Sequence, residues 1–507
     1  MHLRSALKKP SVRKGLLFTG FVLFLSYFTY VHGYRTPASF FWDENYHIPS
    51  AQKYQSGTFF MEPHPPLGKM LIALGEVIVD ANPVDNQMLN NDYEKTMPEE
   101  FSFAGYRLIP VLMMWLTAAL MFWIFFLIAK DWFMATMLSF LYIFDNALIV
   151  HNRGAMLDAP MIFFCAAMML LFLLMLHWKE KPKPFKICAL LYGVSLGLVM
   201  ATKVLGLIMI LLAPSLLLGL YPKVRQWLRF LGIAAAGFLV AYVGVWYVHF
   251  SIAHNINPAL QEEGFYQASD AYKLLLFEGK TRSPLAFPTM WKDSMKYLRH
   301  YSGGVPQLDL CKPNENGSPF FLWPIGGRTI NYRWESKGAD AYGYLYLVPN
   351  PIAWLAGLLG VILSAALLLS SVIHPLKSPL RHRYLLSVFL GLYISYMVAV
   401  SQIHRVMYLY HYFIPLLISF VLFALVCMEV RTLGKWNVSE HARGLMMVIF
   451  GLLVFGAFQI YRPFTYNLPL TSQQFEHRNL LRLWDMHCIG CERNKMLAEP
   501  RTCDAQS

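Results

Sequence analysis

Hydrophobic positions along this chain gather into long apolar runs parted by short charged connectors, with little helical or strand alternation. About 20 consecutive apolar residues, wound as a helix, cross the roughly 30 Å hydrocarbon layer of a bilayer. On that measure the runs predict spans at 15–34, 105–129, 132–150, 155–178, 187–202, 204–221, 230–250, 350–373, 384–402, 408–428 and 443–461. The fold class that follows is an all-α polytopic membrane protein of about 11 transmembrane helices. The first run closes on Tyr30, His32 and Tyr34, without the small residues of a cleavage site, so it reads as a retained helix. Residues 35–104 and 251–349 are too polar to span and too long to be connectors, which marks them as functional loops. The expected organisation is a membrane module over 1–461, followed by a tail over 462–507.

Composition agrees: 56% of residues are hydrophobic and 14% charged, which excludes a soluble protein. The net charge of +13 sits mostly in the short connectors, with no basic patch interleaved with aromatics, and so does not point to nucleic acid. Arg4, Lys8, Lys9, Arg13 and Lys14 place the N-terminus in the cytoplasm. An odd number of spans then puts both long loops and the tail outside. Arg107, Arg153, Lys203 and Arg405 break the pattern, since they fall at span ends on the outer side. Lone cations there often snorkel, but four on one face suggest a shared site for an anionic ligand.

Candidate chemistry concentrates in Phe40–Lys69, where Asp43 and Glu44 adjoin and are followed by Glu62, His64 and Lys69. A carboxylate pair near cations at a membrane surface suits an enzyme acting on a phosphate-bearing lipid. Glu62 and His64 are two metal-ligand types, too few by themselves to define a metal site. Cys311, Cys488, Cys491 and Cys503 all lie on the predicted outer side, where disulfides are expected; a zinc site around His487-Cys488-Ile489-Gly490-Cys491 is the alternative. Cys165, Cys188 and Cys427 fall in or beside spans and read as core residues.

These strings, in this order, resemble the protein O-mannosyltransferases, glycosyltransferases of the large multi-span GT-C fold. Asp43-Glu44 and His64-Pro65-Pro66-Leu67-Gly68-Lys69 look like the family's Asp-Glu and His-Pro-Pro-x-x-Lys signatures. Gly105-Tyr106-Arg107, Asp145-Asn146-Ala147, Arg153 with Leu157-Asp158-Ala159, and the stretch from Gly197 to Lys203 are similar to further family strings. So are Trp323-Pro324, Asn350-Pro351 with Trp354, and Arg405 with His411-Tyr412-Phe413. The second loop is too short for the β-trefoil of eukaryotic members, so the likeness is to the compact bacterial form.

The resemblance implies inverting transfer of mannose from polyprenyl-phosphate-mannose to Ser/Thr hydroxyls of proteins, presented as translocated chains. Asp43 would be the base, with Glu44 and His64 beside it; Lys69, Arg107 and Arg405, with Arg153 and Lys203, would hold the donor phosphate. Trp323, His411 and Asn350 would touch sugar or acceptor. No cofactor is required, although a divalent metal is not excluded. The expected setting is a bacterial inner or plasma membrane, with the active site on the extracytoplasmic side. The alternatives are a sister enzyme with a glycan or lipid acceptor of lipid A type and, from another class, a lipid-linked sugar transporter.

Overall fold

A computed structural model describes residues 10–83, 97–220, 224–257, 268–312, 315–373, 379–430, 432–433 and 436–489. Cys491, Cys503, Arg4, Lys8 and Lys9 lie outside the described residues. Nine of the eleven predicted spans correspond to single helices among the described residues. Among the described residues, nine helices are long and apolar enough to cross a membrane, so this is a multi-pass integral membrane protein. The remaining two spans are irregular. Run 132–150 is a pair, Trp132–Ile143 and Asn146–Asn152, bent by 58°. Run 204–221 is a 3-10 stretch, Val204–Leu211, continued by a short helix, Leu212–Leu220.

The bend in the first has a local cause. The Asp145 carboxylate accepts the Leu148 amide at 2.8 Å and so starts a second helix at Asn146. The same carboxylate takes the Trp354 indole N–H at 2.8 Å. Near the second, the preceding helix stops at Met200 and Lys203 is fully extended, at φ −156° and ψ 126°.

The chain divides into two compact units. The second unit, Tyr30–Leu120 with Asn152–Val305, holds the site described below. Its elements are α1 (Glu44–Gln55), α2 (Leu67–Val79), the first part of α3 (Ala104–Ala129), α4 (Asp158–His177), α5 (Pro182–Met200), α6 (Val224–Ile252) and α7 (Phe287–Gly304). Helix α7 lies within the second long loop. In this unit α5 and α6 meet backbone to backbone. A Cβ on Gly193 would strike the Ala234 carbonyl, one on Gly197 would come to 2.7 Å from the Phe238 carbonyl, and one on Gly237 to 2.6 Å from that of Leu190. Small residues four apart are what lets membrane helices approach this closely.

The first unit, 1–29 with 121–151 and 306–507, carries an addition that the apolar pattern did not foresee. Ile330–Ser336, Tyr342–Leu347 and Pro469–Leu470 form a three-stranded antiparallel sheet in that order. Tyr344, Tyr346, Leu470, Phe475 and Trp484 share its core, which anchors the described part of the tail. Cys311 and Cys488 are disulfide-bonded.

Replacing Gly193 by Val should cost about 1–3 kcal/mol or more through overpacking. Gly244→Ala on α6, where a Cβ meets open space, serves as control. Thermal unfolding in detergent should show a lower midpoint for the first variant and an unchanged one for the second.

Candidate active site

The site starts with two neighbouring carboxylates put to opposite uses. Glu44, in the first turn of α1, is fully buried and receives Arg107 in a two-pronged ion pair, Nε to Oε1 at 2.7 Å and Nη2 to Oε2 at 2.8 Å. Its oxygens also accept the amides of Ala155 at 2.9 Å and Phe41 at 3.2 Å. The remaining Arg107 donors go to the carbonyls of Arg35 at 3.1 Å, Pro37 at 2.7 Å and Ser39 at 2.9 Å. A guanidinium has five N–H groups, and these five bonds use all of them. The expectation that Arg107 holds a donor phosphate is therefore corrected: it is sealed from solvent and fully spent on the fold.

Asp43 is the converse. It stands at the N-cap of α1, where Asp ordinarily bonds the first-turn amides, yet its side chain makes no capping bond. Trp42 just before it has φ +50°, a left-handed conformation rare for a bulky residue, and Asp43 itself has φ −73° and ψ 2° rather than the extended backbone usual at an N-cap. Burial pushes the Asp43 carboxyl up to about 6; Lys203 opposes the rise, Asp158 adds to it, and Lys69 opposes it.

The other charges are matched. Lys69, in the first turn of α2, bonds Glu62 at 2.5 Å, and both are buried. Burial raises the Glu62 carboxyl, with Lys69 working against it. The Glu62 Oε1 also accepts the His64 amide at 3.2 Å. Lys203, with 12% of its side chain exposed, grips both oxygens of Asp158, at 2.8 and 3.0 Å. These elements are tied together locally. The Leu67 amide donates to the Ala201 carbonyl at 2.8 Å. Gly68 leaves room for Leu157, which a Cβ would crowd at 2.6 Å. Arg153 is buried and donates to the His32 carbonyl at 2.8 Å.

Asp43, Glu44, Glu62, His64, Lys69, Arg107, Arg153 and Lys203 thus all belong to one compact unit. His47 was missed, although it follows Asp43 by four residues, one helical turn, and that Asp-x-x-x-His spacing was the available signal. Its Nδ1 lies 2.8 Å from the Ala155 carbonyl, and its ring meets that of His64 edge-on with centroids 6.4 Å apart. Among the described residues no three His, Cys, Asp or Glu side chains are grouped to hold a metal, and Glu62 is committed to Lys69.

Trp323, His411, Asn350 and Arg405 belong to the other unit. Asn350 is buried with its amide shared between the Phe144 and Val454 carbonyls, at 2.8 and 2.9 Å, while its oxygen accepts the Ile352 and Ala353 amides. Trp323 is fully buried, with its indole on the Ser318 carbonyl at 3.0 Å and its ring stacked on His411. His411 is itself buried and bonds within its own turn at Tyr408. All three are held by these bonds within the fold. Arg405, half-buried in a bend, makes no hydrogen bond or ion pair among the described residues.

Comparison with known proteins agrees with this layout. The family model described as Dolichyl-phosphate-mannose-protein mannosyltransferase matches residues 20–254. The one described as the C-terminal four TMM region of protein-O-mannosyltransferase matches residues 289–484. Dolichyl-phosphate-mannose--protein mannosyltransferase 1 of Candida albicans is 29% identical over 211 residues, which is 40% of this chain and 23% of the relative. Protein O-mannosyl-transferase 1 of Danio rerio is 28% identical over 256 residues, 46% of this chain and 34% of the relative. The matched stretches thus span about a quarter to a third of these relatives' length. A solved structure of the S. cerevisiae protein O-mannosyltransferase Pmt1-Pmt2 complex bound to the sugar donor superposes with a TM-score of 0.79 at 14% identity. It covers 98% of this chain and 97% of that one, and the fold is the GT-C bundle expected from the sequence.

Replacing Arg107 by Met should destabilise the protein by about 3–5 kcal/mol, because Glu44 is left buried and unpaired. Arg107→Lys should restore little of it, since an ammonium cannot reproduce the two-pronged bond. Unfolding midpoints give the first effect. Polyprenyl phosphate binding to the folded fraction should stay within about threefold, and a large selective loss of that binding would return Arg107 to the phosphate.

Proposed function

The chain belongs to the protein O-mannosyltransferase family, and from that premise we propose that it transfers mannose from polyprenyl-phosphate-mannose to Ser/Thr hydroxyls of proteins. The observation that carries this reading is the uncommitted Asp43 carboxylate, set among paired charges and with a proton affinity raised toward neutrality. A Ser or Thr hydroxyl is a weak nucleophile. Asp43 accepts its proton as the oxygen attacks the anomeric carbon, and general-base help of this kind contributes about 10²–10⁴-fold. The new C–O bond forms as the bond to the phosphate oxygen breaks. Attack from the face opposite the phosphate inverts the anomeric centre.

The leaving phosphate gathers negative charge and needs a fixed cation. We assign this role first to Lys203, the more open of the two paired lysines, with Lys69 supporting through its field. Arg153 and Arg405 stay candidates, the latter because it is uncommitted within its own unit. His64 orients groups beside the base. Glu44 positions Asp43 through the backbone they share. The charge pattern supports a cytoplasmic N-terminus and a site on the extracytoplasmic face of a bacterial membrane.

Asp43→Asn should reduce transfer from a purified lipid-linked mannose to a Ser/Thr peptide by at least about 10²-fold, with the unfolding midpoint kept. The pH profile carries the sign. A base with a pKa near 6 is protonated below that value, so kcat/KM should rise about tenfold per pH unit up to about 6 and then level. Removing the cation in Lys203→Met should move the bend to higher pH, and Asp158→Asn should move it lower. A profile without an acid limb, or near-normal activity in Asp43→Asn, would remove Asp43 as the base.

A further inference from the structure

His47 has no part in the transfer chemistry as set out above, and its surroundings give it one. The ring is 5% exposed. A carbonyl oxygen can only accept, so the 2.8 Å contact between Nδ1 and the Ala155 carbonyl requires the proton on Nδ1. In the neutral ring this leaves Nε2, at the far edge from Ala155, as a bare acceptor, and no further hydrogen bond to the ring is present among the described residues. The ring is kept neutral: burial lowers its basicity to about 3, and Lys69 adds to that. A bare Nε2 can accept one hydrogen bond from a ligand donor.

Position supplies the second half of the argument. The His47 amide bonds the Asp43 carbonyl at 3.0 Å, so the two residues are stacked one turn apart at the head of α1. The same carbonyl segment that holds Nδ1 is fixed from the other side, since the Ala155 amide donates to Glu44 at 2.9 Å. Residues 43, 44 and 47 and the backbone at 155 therefore form one locked frame. A charged ligand group would suit Nε2 poorly. A phosphate offers no donor at neutral pH, and a cation would meet the field of Lys69. A neutral hydroxyl fits.

We propose that His47 is a positioning residue whose Nε2 accepts a hydrogen bond from a substrate hydroxyl, one turn of helix away from the base. Two sources carry that chemistry: a ring hydroxyl of the transferred sugar, and a hydroxyl of the acceptor peptide other than the one that gives its proton to Asp43. The inference rests on the transferase reading given above.

The test compares His47→Phe, His47→Ala and His47→Gln with the wild type in detergent, using polyprenyl-phosphate-mannose and a Ser/Thr peptide. Gln retains an acceptor oxygen and Phe retains the shape without one. Phe and Ala should lower kcat/KM by about 10–100-fold, the loss expected for one buried hydrogen bond, and Gln should regain most of it. The acid limb of the profile should keep its place. If the sugar supplies the hydroxyl, one monodeoxy-mannose donor should be a poor substrate for the wild type but no worse than the parent donor for His47→Phe. If the acceptor supplies it, every deoxy donor should be discriminated alike by both proteins, and the loss should fall on the peptide KM. Wild-type kinetics in Phe and Ala, or a loss that Gln does not relieve, would overturn the proposal. A wild-type protein that moves no mannose at all would instead overturn the reading beneath it.

Discussion

The buried bond between Glu44 and Arg107 is the constraint on which the rest of the site depends. Ion pairs in a low-dielectric interior seldom add much net stability, because desolvation cancels most of the attraction. What they enforce is geometry, since neither partner tolerates being left alone. Here the pair draws together the first loop through the Arg35, Pro37 and Ser39 carbonyls, the start of α3, and the Ala155 amide. Asp43 is the next residue along. It inherits a fixed backbone from its neighbour without sharing any of its bonds, which is what the proposed base needs to be both positioned and available.

The charges around that base follow the same logic of commitment. Glu62 is spent on Lys69 and Asp158 on Lys203, so the cations enter the site already balanced. A lysine without a counter-charge, buried beside Asp43, would hold it ionised at the ordinary carboxylate pKa and make it a feeble base. Paired lysines exert a weaker field, and burial then prevails and lifts the carboxyl toward 6. The Asp158 charge adds to the rise. Basicity and phosphate attraction, which pull a carboxylate in opposite directions, are reconciled by pairing each cation.

Much of this was legible in the sequence. The apolar runs located nine membrane-length helices and a bent pair among the described residues, because a bilayer imposes a length that composition alone satisfies. The Asp43-Glu44 and His64 to Lys69 strings pointed to residues that the structure places in one compact unit. What could not be read was how each polar side chain is spent. Arg107 and Asn350 stand out in the sequence as polar residues at span ends, and Trp323 as an aromatic residue in the second long loop, and so resemble ligands. Only the fold reveals that Arg107 closes all five of its donors on protein atoms and that Asn350 caps a helix while bridging two others. Residue type signals the need for a partner; it does not say whether that partner is protein or substrate. The sheet was missed for a related reason, since its third strand has two residues and is supplied from over a hundred positions away.

Asp43 and His47 draw interest for where they stand together as well as for what they leave unbonded. In a buried site, polar groups not claimed by the fold carry an energetic cost, so they persist where a ligand relieves it. Asp43 lacks the capping bond its position invites, and His47 has one ring nitrogen tied and the other without a donor among the described residues. They lie one turn apart on one helix, held by the same frame. One is an acceptor that gains charge when it loses its proton and the other is an acceptor that stays neutral. Side by side they can distinguish the hydroxyl that must give up its proton from the hydroxyl that must only be held.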